Sequence, residues 1–252
     1  MGWRTPALVG ALAFVLALVL HAPAPLLYHW ATAGKPSPVS LQGIEGTLMQ
    51  GRVRAIAVNN RPLLSDLGWT LHPLWLGLLR FSADLEAGGD NVVRVRVSRA
   101  PFGRLRLSDL SAVATVRSLL AAAGQPALPV EGQIKLDFPT LQLDHGAPVR
   151  AQGTADVTGL AWTLAREPLV LGDFSAAVDT DADAIVAHLS SAASAPIELS
   201  GEARLSEDQK YDVHLQLRPR ASASAQAQTL VKSIGNPDLQ GFYHLRKNGT
   251  LQ

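Results

Sequence analysis

An internal echo limits what this chain can become. Leu67-Gly68-Trp69-Thr70-Leu71, Phe81-Ser82-Ala83-Asp84-Leu85 and Val92-Val93 return 93 positions later, without a gap, as Leu160-Ala161-Trp162-Thr163-Leu164, Phe174-Ser175-Ala176-Ala177-Val178 and Ile185-Val186. Between these anchors Leu76 falls on Leu169, Leu78 on Leu171 and Asp90 on Asp183. A duplicated structural unit is the simplest account, since repeated units bury together an apolar face that neither buries alone.

The units are made of strands. From Val39 onward the dominant pattern is alternation of apolar and polar residues, which marks strands with one buried face. It runs through Ala55–Val58, Val93–Val97, Leu105–Leu107, Ile134–Phe138, Leu141–Leu143, Ile197–Leu199 and Val213–Arg218. Ala87-Gly88-Gly89-Asp90-Asn91, Ser206-Glu207-Asp208-Gln209 and Lys247-Asn248-Gly249 read as hairpin turns. Short consecutive strands with polar outer faces predict an antiparallel sheet rather than a βαβ fold.

Two stretches depart from alternation. Residues 108–123 place Leu110, Val113, Arg117 and Leu120 at helical spacing behind Ser108, and residues 222–234 carry Leu230, Val231 and Ile234 in an alanine-rich run. Each ends on glycine followed by proline, Gly124 with Pro126 and Gly235 with Pro237, a left-handed cap and a helix stop. That second register is 111 positions, so the later copy carries an insertion. The expected fold is mainly β: a curved antiparallel sheet of two repeated β-units, each with one amphipathic helix. The units span 39–125 and 126–252, the second with closing strands.

The amino-terminal part has a different character. Pro6 to Leu20 is continuously apolar, and no fixed charge stands between Thr5 and Tyr28. A bilayer core needs about 20 apolar residues in a helix, which the run reaches if it continues past His21. Trp3, Tyr28 and Trp30 lie at its ends as interfacial anchors would, and Arg4 places the start in the cytoplasm. A cleaved signal peptide is the competing reading, but Pro25 would follow the cut after Ala22-Pro23-Ala24. The segments expected are therefore a transmembrane anchor over 1–30 and a linker over 31–38, with the rest beyond the cytoplasmic membrane.

Chemistry-bearing patterns are few. The chain has no cysteine, which excludes disulfides, thiolate metal sites and cysteine nucleophiles. Its 22 Lys and Arg against 21 Asp and Glu are scattered singly, so no nucleic-acid footprint follows. Seven histidines stand alone, without metal-ligand spacing, so no metal site is expected. Asp179-Thr180-Asp181-Ala182-Asp183 starts like a calcium loop, yet Ala184 and Ser190 replace its glycine and closing glutamate. It reads better as a polar hairpin tip. Gly46 to Gly51 has the spacing of a phosphate loop, but Arg52-Val53 follows in place of Lys and Ser/Thr. No Gly-x-Ser-x-Gly elbow occurs. Trp69 and Trp162 read as core anchors of the two units rather than ligand platforms. Arg94, Arg96, Arg104 and Arg106 fall on outer faces, as a basic patch for lipid headgroups or an acidic partner, or as a solvated edge.

Several segments together resemble a known family, component N of the bacterial type II secretion system. They are the apolar amino terminus, Leu41-Gln42-Gly43-Ile44-Glu45-Gly46-Thr47-Leu48-Met49-Gln50-Gly51, and Leu67-Gly68-Trp69-Thr70-Leu71-His72-Pro73-Leu74-Trp75-Leu76. Val130-Glu131-Gly132-Gln133-Ile134, Leu169-Val170-Leu171-Gly172-Asp173-Phe174, Leu239-Gln240-Gly241-Phe242-Tyr243 and Asn248-Gly249-Thr250-Leu251 complete the set. Met49 stands where the family pattern usually has tryptophan. The resemblance implies a single-pass inner-membrane protein with a periplasmic β-rich domain, accessory to the machine that exports folded proteins across the outer membrane. It implies no catalytic residue and no cofactor. The implied partners are the inner-membrane platform and the secretin. The motif positions carried over are structural: Gly43, Gly46, Gly51, Trp69, Pro73, Gly132, Trp162, Gly172, Gly241 and Gly249. A distant likeness to AsmA-type envelope proteins adds lipid as an alternative partner.

Overall fold

The computed structural model describes residues 22–32, 39–58, 61–72, 81–89, 91–100, 103–122, 124–163 and 168–250. Its strands are β1 (Val39–Gly46), β2 (Gln50–Val58), β3 (Arg61–Leu71), β4 (Phe81–Gly88), β5 (Val92–Arg99), β6 (Leu105–Thr115), β7 (Val130–Asp144), β8 (Ala147–Trp162), β9 (Leu169–Asp181), β10 (Ala184–Ser191), β11 (Ile197–Ser206), β12 (Lys210–Pro219) and β13 (Tyr243–Thr250). Among the described residues three short helices accompany them: α1 (Ala24–Thr32), α2 (Val116–Ala122) and α3 (Ala225–Lys232). All 13 strands form one open sheet in sequence order, every neighbouring pair antiparallel.

The alternation in the sequence becomes the two faces of this sheet. Directly paired residues point the same way. The row Ala87, Val93, Ala112, Leu136, Ala155, Ala176, Leu189, Gly201, Leu215, Leu245 therefore draws one apolar line across ten strands. One residue along, Glu86, Arg94, Ser111, Asp137, Thr154, Ala177, His188, Glu202, His214 and Arg246 draw a polar line on the opposite face. A slip of one residue in any strand would exchange these sets, so the pattern itself fixes the register.

Strand order also fixes two margins. Because direction reverses at every strand, the connections β1–β2, β3–β4, β5–β6, β7–β8, β9–β10 and β11–β12 share one margin, the hairpin margin. The other carries α2, between β6 and β7, and α3, between β12 and β13, and is the helix margin. α1 lies along β1: the Leu48 N–H donates to Ala22 O at 3.3 Å and the Leu41 N–H to Tyr28 Oη at 3.3 Å.

Two sequence expectations change, and a third falls outside the described residues. The helix read over 108–123 is confined to Val116–Ala122, and Leu105–Thr115 is strand. The three-residue step from Leu107 to Leu110 is a bulge: Asp109 takes φ 53°, pairing with β5 shifts there, and both leucines stay on one face. Helix propensity differences of under about 1 kcal/mol per residue do not outweigh the ladders that β6 makes to both neighbours. Lys247-Asn248-Gly249 is no turn but the end of β13, paired with Val213, Asp212 and Tyr211, so the expected closing strands reduce to one. Finally, among the described residues no helix is long and apolar enough to cross a membrane. The run from Pro6 to Leu20 lies outside the described residues, and α1 takes in Ala31 and Thr32 from the expected linker.

Candidate functional site

The hairpin margin lodges Trp69. Gly46 pairs with Gly51 across the β1–β2 turn, and the Thr47 N–H donates to Gln50 O at 2.8 Å, so the phosphate-loop spacing is simply a tight hairpin. Trp69 pairs with Gly51 on β2 and lays its indole across it. A β-carbon at Gly51 would lie 2.2 Å from Trp69 Cζ2 and 2.4 Å from Glu45 O, which explains why only glycine stands there. Trp69 Nε1–H donates to Leu48 O at 3.1 Å and the Leu71 N–H to Met49 O at 2.7 Å, tying β3 to the turn. Gly46, Gly51 and Trp69, read separately as motif positions, thus meet in one place. Gly249 repeats the device at the far edge, where the Tyr211 ring covers it and a β-carbon would meet Oη at 2.7 Å. Such aromatic cover offsets the weakness of a strand glycine.

The helix margin lodges Trp162 differently. Trp162 and Leu171 pack against the buried group of Leu169, Ala223 and Ala227 beneath α3. Alongside, Val231 joins Ile197 and Tyr243 and is 1% exposed. Ser224 caps α3, its Oγ accepting the Ala227 N–H at 3.2 Å. Arg220 Nη1 donates to the carbonyls of Ala192, Ala193 and Ala195 at 2.7, 2.6 and 2.9 Å and latches the β10–β11 loop. Gly172 lies under that loop, where a β-carbon would meet Ala195 at 2.5 Å. Gly132 sits in β7 against Leu160 of β8, two residues from the Val130–Trp162 pair, Gly241 stands just before β13, and Pro73 lies outside the described residues.

A third feature is a polar cleft of about 570 Å³ on the hairpin margin around β4–β7, lined by His72, Phe81, Arg96, Arg99, Arg104 and Arg106 with Ser82, Ser98 and Ser108. Arg96 Nε lies 2.8 Å from Asp84 Oδ1, His72 Nε2 lies 2.8 Å from Asp84 Oδ2, and Arg104 Nε lies 3.4 Å from Asp144. Partial burial pushes the Asp84 carboxyl up, but the hydrogen bonds from His72 and Arg96 outweigh it and hold the group below its ordinary value. Arg94, on the same face, is occupied by Glu86 at 2.8 Å. Arg99 and Arg106 make no ion pair among the described residues. The sequence pattern singled out four arginines and missed Arg99, because Arg99 ends its strand and breaks the alternation that revealed the others.

Among the described residues no group of three or more His, Asp or Glu side chains is placed to hold a metal ion. Asp181 pairs with Ala184 around the two-residue tip Ala182-Asp183, the hairpin expected there. Arg218 was not visible as special in the sequence. It reaches Glu198 at 2.6 Å and stacks 4.3 Å above the Phe242 ring, joining β11, β12 and the approach to β13.

Faces and margins are what the described residues offer: the class is an open antiparallel meander with one apolar and one polar face. The chain belongs to the type II secretion system protein N family, whose model matches residues 37–246. It is 26% identical over 251 residues to the type II secretion system protein N of Vibrio cholerae serotype O1, covering 93% of each chain. No solved structure matches it.

Proposed function

We propose that this chain is a non-enzymatic accessory component of type II secretion that supports export of folded proteins across the outer membrane. The observation that carries the proposal is the family match over residues 37–246, which takes in nearly the whole sheet. The architecture supports it: long, mostly solvent-facing margins suit simultaneous contact with several partners better than they suit capture of one small substrate. In this reading residues 1–30 anchor the chain in the inner membrane with the amino terminus in the cytoplasm. Residues 31–38 link the anchor to two periplasmic β-units, 39–125 and 126–252. The partners are the inner-membrane platform and the secretin, and no cofactor or nucleic acid takes part. The glycines of the motif set shape the strands, and the two tryptophans pin the units.

Deleting the gene in its host and assaying exoproteins in the medium tests the proposal. Exported enzymes should stay cell-bound and return to the medium on complementation. Normal secretion from the deletion strain would refute it. An alkaline phosphatase fusion after Thr250 checks the topology and should be active only if the sheet lies outside the cytoplasm.

A further inference from the structure

We propose that the arginine cleft on the hairpin margin is a membrane-contact surface that binds the phosphates of anionic phospholipid headgroups. The inference rests on the anchor reading for residues 1–30.

Chain connectivity supplies the geometry. Pro23 bridges to Thr47 and Ala22 O accepts the Leu48 N–H, so the chain enters the sheet at the β1–β2 turn, on the hairpin margin. The apolar run ends at Leu20, two residues earlier, and two residues span at most about 7 Å. A membrane holding that run therefore lies against the hairpin margin and not the helix margin. Strands are spaced by about 4.8 Å, so the β5 end of the cleft is about 20 Å along the sheet from the entry point.

What the margin presents there fits a phosphate surface. Arg96, Arg99, Arg104 and Arg106 line one cleft with Ser82, Ser98 and Ser108. Asp84 and Asp109 hold Arg96 and Asp144 holds Arg104, while Arg99 and Arg106, at the strand ends of β5 and β6, have no carboxylate partner among the described residues. Guanidinium forks match phosphate oxygens in pairs, and arginine carries its charge at every physiological pH. Phe81, 49% exposed at the rim, supplies the aromatic body that favours a bilayer interface. Further along the same margin the turns become acidic, with Asp181 and Asp183 after β9 and Glu207 and Asp208 after β11. Those turns are about 40–50 Å from the entry point. From Arg106 on β6 they are about 17–26 Å away, two to three Debye lengths of about 8 Å, so salt screens most of their effect on the cleft. The sheet thus sits tilted, basic corner toward the membrane and acidic corner away.

The test uses the full chain in nanodiscs. With no native cysteine, single fluorophores can be placed in the cleft through Ser98→Cys and on the acidic turn through Glu207→Cys. A quencher attached to the lipid headgroup reports contact in phosphatidylcholine discs with or without phosphatidylglycerol. The Ser98→Cys label should be quenched only when phosphatidylglycerol is present, and the Glu207→Cys label in neither. R99Q/R106Q should lower the ratio of contacting to free cleft about 30-fold, since each basic residue near an anionic surface contributes about 1 kcal/mol. Because neither arginine is ion-paired within the sheet, the variant should melt as the native chain does. A cleft label indifferent to phosphatidylglycerol, or unchanged contact in R99Q/R106Q, would overturn the proposal. Alkaline extraction separates the two readings: a chain that stays in the membrane with an unresponsive label loses only the headgroup contact, while an extracted chain loses the anchor and this inference with it.

Discussion

Trp69 and Trp162 occupy equivalent places in the sequence echo but opposite places in the sheet. The echo moves β3 onto β8, and five strands of a meander is an odd number. The second copy therefore runs the other way, and its tryptophan ends on the helix margin while Trp69 ends on the hairpin margin. Each needed a different solution to the same problem, a large ring at the end of a strand in a single-layer sheet. Trp69 lies across a glycine and hydrogen-bonds to the turn beside it. Trp162 is covered by a helix and the small buried cluster beneath it. A one-layer sheet gains burial where something crosses its face, so the two ends of the molecule should differ in what makes them stable.

The largest effect expected is at Trp69. Trp69→Ala removes a half-buried indole and leaves Gly51 uncovered, and it should cost about 3–5 kcal/mol by urea denaturation. A variant that unfolds like the native chain but fails to support secretion would give Trp69 a functional role instead. On the other margin, Val231→Ala opens space under α3 and should cost about 2–3 kcal/mol. It should alter near-ultraviolet dichroism through the packing around Trp162 while hydrogen exchange at the β1–β3 end stays unchanged. Equal loosening at both ends would mean that the margins are one cooperative unit. Gly51→Ala should cost about 1–3 kcal/mol by overpacking, because its β-carbon would meet both the indole and the Glu45 carbonyl. Combined with Trp69→Ala, where half the clash is gone, its extra cost should shrink, as a double-mutant cycle would read. Ser224→Ala removes the cap of α3 and should cost about 1 kcal/mol, again confined to the helix margin.

The smallest effect is electrostatic. The native Asp84 carboxyl lies below its ordinary value, so its contribution is present above about pH 4, the unfolded value, and fades as pH falls through the native one. Its side chain is 35% exposed, which keeps the contribution on the surface-pair scale of about 1 kcal/mol or less. Asp84→Asn should thus lower stability slightly at pH 7 and hardly at all at pH 2. A difference between the two proteins that grew on acidification would overturn the assignment.

Much of the fold is legible in the chain because period two is a local property. Val93–Val97, Ile134–Phe138 and Val213–Arg218 each state their own face, and the structure uses them as stated. The error over residues 108–115 has an equally local cause. A bulge at Asp109 adds one residue, and one extra residue turns a two-step into the three-step of a helix. The charged cleft was only half legible. Arg96, Arg104 and Arg106 stand out as polar-face residues, but nothing in one strand tells how its charges meet those of the next.

By itself, then, the sequence determined most of the strand segments and which face of each is apolar, while the helix read over 222–234 narrows to Ala225–Lys232 with Ser224 and Ser233 as its caps. Those properties depend on neighbours within a few residues. Tertiary structure alone decided which margin each feature occupies, because that follows from the parity of strand order across the whole sheet. It set Trp69 beside Gly51 and Trp162 under α3, and it gathered the arginines of β5 and β6 on the hairpin margin.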